Sequence, residues 1–349
     1  MAPPRQNWVP SVSQPPSFPA VPPPLREGRA DICAALDLGT NNCRLLVARR
    51  RGDGFHVIDA FSRIVRLGEG LAASGRLSDA AMNRTIAALR ICAAKVARSS
   101  AGRARYVATE ACRRATNCGE FVERVRRDTG IRMEIISSDE EVRLVVAGCA
   151  PLLDLRMPYA LVFDIGGGST ELAWLALGGG APEAAALVGF VSLPHGVVTL
   201  ADRYGGHDVS AATYAAMVAE LRVALAPFEA KHAIATQAEA GRMQLLGSSG
   251  TVTTLAGVHL DLPRYDRNRV DGSVLGFDHI LGASRRLATL TWDERAAHPC
   301  IGPERADLVL AGCAILEAIC LAWPVGSLVV ADRGVREGIL QGFFGGVCG

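Results

Sequence analysis

The segment Asp164-Ile165-Gly166-Gly167-Gly168-Ser169-Thr170-Glu171 sets two carboxylates on either side of three consecutive glycines. Glycine reaches φ > 0 without steric cost, so such a run can turn several backbone N–H groups toward one point and cradle phosphate oxygens. Carboxylates flanking the bend suit a hard cation such as Mg2+ bridging protein and phosphate. A plain glycine-rich hairpin with an Asx-type turn fits the same residues, and the segment alone leaves both readings open. A second segment, Asp37-Leu38-Gly39-Thr40-Asn41-Asn42, offers the same arrangement with a hydroxyl and amides in place of two glycines. Together the two predict phosphate cradles on opposing walls of a cleft, as needed to hold a chain of phosphates. A candidate third cradle, Gly247-Ser248-Ser249-Gly250-Thr251, opens a helix, where free amides favour anions. A helix start that uses its own Ser or Thr as a cap is an equal reading.

Other polar groups carry weaker signals. Ser138 and Glu141 have capping-box spacing, so pattern alone assigns Glu141 to the Ser138 backbone N–H. Arg113 and Arg114 follow a strand and suit phosphate, although an arginine pair more often covers a solvated face. Arg264, Arg267 and Arg269, with Arg333 and Arg336, suit either a polyanion groove or surface ion pairs, the latter being commoner. His207-Asp208 lacks the further ligands of a metal site. No G-x-S-x-G, H-E-x-x-H or G-x-G-x-x-G is present, and neither lysine, Lys95 or Lys231, follows a glycine as a Walker A loop requires.

The loops must be held by strands and helices. Ala34 to Asp37, Arg44 to Arg49 and Phe55 to Phe61 read as an antiparallel meander turning at Gly52-Asp53-Gly54. Ser78 caps a helix with Met82, Ile86, Leu89 and Ala93 on one face, Tyr106 to Thr109 is a strand, and Asn117 opens a further helix. Met133 to Ser137 follows as a strand and Ser138 to about Ala150 as a helix. A second unit opens with strands Tyr159 to Asp164 and Glu171 to Leu177. Helices are expected near Ser210 to Ala230, Thr251 to Val258, His279 to Leu287 and Glu304 to Ala322, then strand Ser327 to Ala331 and a short helix from Arg333. Shifting the chain by 127 residues lays Asp37 on Asp164, Gly39 on Gly166 and Leu45 on Leu172. That internal repeat implies two related lobes across a cleft.

Composition sets the outer bounds. The chain has 349 residues, a formal net charge of +2 and 21% charged residues, which suits about two domains at roughly 150 residues each. Near-zero net charge argues against a dedicated nucleic-acid binder. Ten cysteines without a C-x-x-C pair read as small buried hydrophobes in a reducing, cytoplasmic compartment. The longest charge-free runs, Ala184 to Ala201 and Met243 to Leu260, are broken by glycine and polar residues, and no membrane partner is expected. Residues 1–29 are proline-rich and read as a disordered tail. The expected lobes are 30–152 and 153–349, with the last helix, from about 333, packing back on the first.

Six motifs then bring a resemblance: ALDLGTNNCRLLVAR at 35 to 49, VATEACRRATN at 107 to 117, IISSDEEVRL at 135 to 144, VFDIGGGSTELA at 162 to 173, LGSSGTVTTLA at 246 to 256 and ADRGVREGIL at 331 to 340. In this order the chain resembles the exopolyphosphatase/guanosine pentaphosphate phosphatase (Ppx/GppA) family, in a short form without the C-terminal HD-like domain. The resemblance implies an α/β fold of the two-domain actin-like ATPase/sugar-kinase (ribonuclease H-like) type. It implies Mg2+-dependent release of terminal phosphate from inorganic polyphosphate, with guanosine pentaphosphate as the alternative substrate and an ATP-dependent small-molecule kinase as a more distant one. Glu141 falls where the family places its general base, which displaces the capping assignment. Asp164 and Glu171 fall on metal-associated carboxylates. Asp37, Gly39, Thr40, Asn41, Arg113, Gly166, Gly167, Gly168, Ser169, Gly250 and Thr251 fall on phosphate-contacting segments. The first loop reads T-N-N where S-N-S is commoner, and a homodimer is left open.

Overall fold

The computed structural model describes residues 31–52, 54–178 and 185–345; the proline-rich tail and Asp53 of the expected turn lie outside them. Strands β1 (Ile32–Leu38), β2 (Asn42–Arg51), β3 (Gly54–Ile64), β4 (Arg103–Ala108) and β5 (Glu134–Ile135) form one sheet in the order β3-β2-β1-β4-β5. Strands β6 (Tyr159–Ile165), β7 (Thr170–Ala176), β8 (Ala186–Leu193), β9 (Met243–Ser248), β10 (Val274–Gly276) and β11 (Ser327–Ala331) form a second, ordered β10-β11-β9-β6-β7-β8. The first five positions correspond one to one: a meander of three antiparallel strands whose first member pairs in parallel with a strand beyond it. This is the duplicated α/β architecture of the actin-like fold.

The repeat extends to single hydrogen bonds. Asp37 sits opposite Arg44 in the β1–β2 register, and Asp164 opposite Glu171 in β6–β7. Each bend closes by the same bond, Gly39 N–H to the Asn42 carbonyl at 2.9 Å and Gly166 N–H to the Ser169 carbonyl at 2.9 Å. Strands β1 and β6 are central, so their apolar residues bury on both faces and read as continuous runs. Asp37 and Asp164 interrupt those runs at the carboxyl ends, where open α/β sheets bind ligands.

Two helices lie between the sheets. Ser138–Cys149 and Val335–Phe344 share one buried cluster with Ala35 and Leu46 of the first sheet and Ala160, Val162 and Leu246 of the second. A Cβ on Gly148 would lie 2.2 Å from the Gly334 carbonyl oxygen, and one on Gly338 would lie 2.0 Å from that of Leu144. The helices therefore cross with backbones in contact, which only glycine permits. Their N-terminal ends, bearing Glu141 and Val335, meet at the cleft. The Phe344 ring packs 5.8 Å from Phe55 of β3, so the last helix lies against the first lobe.

Several local expectations change. The helix after β5 is capped by Ser137, whose Oγ accepts the Glu140 N–H at 3.2 Å, and not by Ser138. Strand β4 starts at Arg103, β5 shrinks to two residues, and the helix expected from Glu304 starts at Val309. Strand β8 and helix Val197–Tyr204 were not anticipated, because Gly189 breaks the alternation and Pro194-His195-Gly196 turns the chain. The helix Ala211–His232 is long and apolar enough to cross a membrane by length and composition, yet Met217, Leu221, Leu225 and Phe228 pack it onto the second-lobe core. All nine described cysteines are buried.

Candidate active site

Both bends open onto one cavity of about 120 Å3 between the lobes. Asp37, Gly39, Thr40 and Asn41 line one wall, Asp164 and Gly166 to Ser169 the other, and Glu141, Gly250 and Thr251 complete it. The bends touch: a Cβ on Gly167 would stand 3.1 Å from the Asn41 backbone nitrogen, and one on Gly168 would stand 2.6 Å from Thr40 Oγ1. Each bend is also pinned from behind. Gly166 and Gly167 carbonyls accept N–H groups from Val197 and Val198 at 3.0 and 2.8 Å. Thr40 and Asn41 carbonyls accept from Gly68 and Val65 at 2.9 and 2.8 Å. In a trans peptide the following N–H points opposite its carbonyl, so the amides of Asn41, Asn42, Gly167 and Gly168 turn away from these anchors.

Three of the seven buried side-chain polar atoms without a partner among the described residues lie here. Thr40 Oγ1, Asn41 Oδ1 and Asn42 Oδ1 are buried and make no hydrogen bond among the described residues. Glu171 is 3% exposed; its Oε1 accepts the Ser169 and Ser192 hydroxyls at 2.6 and 2.8 Å, and its Oε2 has no such bond. Burial pushes Asp164 up to about 6, with Asp37 adding to the rise, and pushes Glu171 up to about 7 against its two serine bonds. Burial raises Asp37 and Glu141 as well, the latter helped by Glu171 and opposed by Arg113. Asp37, Asp164 and Glu141 line the cavity, while Glu171 is off its lining and joined to it through the lining residue Ser169; these carboxylates raise each other's affinity for protons or for a cation.

Mg2+ is commonly held by one or two carboxylates plus substrate phosphates and water, without a protein-only cage. No group of three Asp, Glu, His or Cys suited to a metal occurs among the described residues, whereas Asp164 and Glu171 with the unpartnered loop oxygens do suit a shared ion of that kind.

The structure also redistributes several assignments. Glu141 is not a cap: its Oε2 accepts Arg113 Nη1 at 2.7 Å, and the residue lines the cavity. Arg113 does not line it; its guanidinium is bound to Glu110, Glu141 and the Ile136 carbonyl. Ser249, held at φ 141°, uses its hydroxyl on the Thr251 and Val252 amides, so the third segment is a self-capped helix start whose Gly250 and Thr251 still face the cavity. Arg267 pairs with Glu337 at 2.8 Å and Arg333 with Asp271 at 2.8 Å, which removes both from any groove. His207 is exposed and stacks on Trp292.

Several cavity residues escaped the sequence reading, among them Glu110 and two arginines. Arg44 and Arg305 line the site, and neither has an ion pair among the described residues. Arg44 was within reach, because the 127-residue shift lays it on Glu171. Arg305 had no local signal: it comes from the turn before helix Val309–Ala322, remote in sequence from both bends.

The model of the Ppx/GppA phosphatase family matches residues 46–344. The chain is 31% identical over 316 residues to the guanosine-5'-triphosphate,3'-diphosphate pyrophosphatase of Aeromonas salmonicida, and 31% identical over 317 residues to that of Aeromonas hydrophila. Each match covers 89% of this chain but 59% of the relative, so the chain spans about three fifths of those proteins. Among solved structures, an exopolyphosphatase-like protein aligns with a TM-score of 0.82 at 28% identity, covering 89% of this chain and 97% of the other. A Ppx/GppA family member from Aquifex aeolicus gives 0.71 at 28%, covering 89% and 96%. An exopolyphosphatase from Cytophaga hutchinsonii gives 0.81 at 23% identity, covering 90% and 98%, and shares the fold.

Proposed function

We propose a reaction for this chain, which belongs to the Ppx/GppA phosphatase family: hydrolysis of the terminal phosphoanhydride of guanosine 5'-triphosphate 3'-diphosphate, releasing inorganic phosphate. The observation that carries the reaction type is the meeting of two amide-lined bends and Glu141 on one cavity. Similarity to the Aeromonas pyrophosphatases favours the guanosine substrate over inorganic polyphosphate, which the sequence motifs had put first.

A terminal phosphoryl group would seat between the Thr40-Asn41 and Gly166-Ser169 bends, its oxygens on backbone N–H groups and its charge offset by Arg44 and Arg305. Mg2+ held by Asp164 and Glu171 would supply further neutralisation on the phosphate oxygens. Glu141 takes a proton from water as the water oxygen bonds to the terminal phosphorus and the bridging P–O bond breaks, its electron pair leaving on the β-phosphate of guanosine 5'-diphosphate 3'-diphosphate.

Phosphate release from guanosine pentaphosphate, inorganic polyphosphate and ATP should be measured side by side. The proposal expects the highest kcat/KM on the guanosine substrate. Faster release from polyphosphate would reverse the preference, and phosphate transfer from ATP to an organic acceptor would replace hydrolysis altogether.

The carboxylates give a second test. Asp164 and Glu171 are raised above their ordinary values, so the folded protein binds more protons than the unfolded chain. Their contribution is fully present below about pH 4 and is lost as pH climbs through about 6 and 7. Without divalent cation, Tm should therefore fall from pH 5 to pH 8, and Mg2+ should raise Tm more at pH 8 than at pH 5. An equal Mg2+ effect at both pH values would remove these residues as its ligands.

A further inference from the structure

We propose that Arg113 is a positioning residue that aims the Glu141 carboxylate at the attacking water, and is not a ligand for phosphate. This rests on Glu141 being the base. The guanidinium is fixed at both ends of its plane: Nε and Nη2 bond Glu110 Oε2 at 3.2 and 3.0 Å, and Nη1 bonds the Ile136 carbonyl at 3.0 Å. From that anchored plane, Nη1 holds Glu141 Oε2 at 2.7 Å. Arginine suits this task because its donors form a rigid fork, so orientation passes from one partner to the next. Oε1 of Glu141 makes no hydrogen bond among the described residues, and the residue lines the cavity. One oxygen is thus tethered and the other is available for a proton.

The opposite reading needs Arg113 N–H groups facing the phosphate site. Those groups are instead occupied, and Arg113 is absent from the cavity wall, while Arg44 and Arg305 stand on it. Charge gives Arg113 a second role. Glu141 faces Glu171 from β7 and Asp37 from β1, and Glu110 on the cavity wall shares Arg113 with it; among these carboxylates Arg113 is the positive group that favours ionised Glu141.

The test compares wild type, Arg113→Met and Arg113→Lys on guanosine pentaphosphate, with the pH profile of kcat and a 13C-carboxyl NMR titration of Glu141. Arg113→Met should lower kcat about 30-fold, a part of what a general base contributes, while KM changes less than about threefold. It should also move the Glu141 midpoint and the acidic limb of the profile to higher pH. Arg113→Lys should restore the midpoint but only part of kcat, since it keeps charge and loses the fork. A tenfold rise in KM with kcat and midpoint unchanged would make Arg113 a phosphate ligand and overturn the proposal. Should wild type release no phosphate at all, the hydrolase reading fails, and the NMR titration still decides whether Arg113 governs Glu141. If Arg113→Met does not fold, Glu110→Gln, which weakens the second carboxylate hold on the guanidinium from the cavity wall, should lower kcat and shift the Glu141 midpoint with KM changed less than about threefold; an unchanged midpoint there would also overturn it.

Discussion

Replacing Glu141 by Gln should lower kcat by about 10²–10⁴, the range of a lost general base, with substrate affinity little changed. The substitution preserves shape, and the amide oxygen of Gln can still accept the 2.7 Å bond from Arg113 Nη1. What is lost is the ability to take a proton. Because Glu141 does not form either phosphate bend, ground-state contacts remain, and the effect should fall on kcat and kcat/KM alike. Steady-state kinetics with a direct binding measurement, such as calorimetry on the variant, separates the two. A variant with wild-type turnover would end the assignment of Glu141 as base.

Gly196→Ala should lower kcat/KM by about 10²-fold without touching substrate. Gly196 precedes helix Val197–Tyr204, and a Cβ there would lie 2.3 Å from the Gly167 carbonyl oxygen and 2.5 Å from the Gly168 nitrogen. Ordinary contact begins near 3.4 Å, so the glycine bend must retreat by about 1 Å, a misplacement that can cost about 10²-fold in rate. Both neighbours are backbone, so no side-chain rotation relieves the clash. The same retreat loosens the bonds from Val197 and Val198 that pin the bend. Kinetics on a variant with unaltered circular dichroism would check it; wild-type kcat/KM would show that the bend does not hold the phosphate.

Much of the positioning follows from pairs of pinned bends. Each lobe closes its own turn by the same glycine-to-carbonyl bond, and each draws its anchors from a different neighbour: residues 65–68 in the first and the N-terminus of helix Val197–Tyr204 in the second. The first anchor also reaches across the cleft, since Arg66 pairs with Asp307 at 3.1 Å, two residues beyond Arg305. Opening of the lobes would therefore strain the segment that supports Thr40 and Asn41.

The amino-acid sequence by itself determined the repeat and the two bends. Central strands buried on both faces must be apolar throughout, so an aspartate at a strand end followed by glycine stands out without knowledge of its surroundings, and the shift relating the copies can be read from spacing alone. That the second sheet copies the order β3-β2-β1-β4-β5 of the first agrees with that repeat, while the order itself is set by the tertiary structure. Tertiary structure decided the rest. Ser137 and Ser138 are adjacent and equally able to cap; the extended backbone at Ser137, with ψ of 161°, made the choice and released Glu141 toward Arg113. Arg113 is off the cavity wall and Arg305, which had no sequence signal, is on it, because a charge's task depends on which partner packing brings within reach, and sequence spacing carries no record of contacts made between lobes.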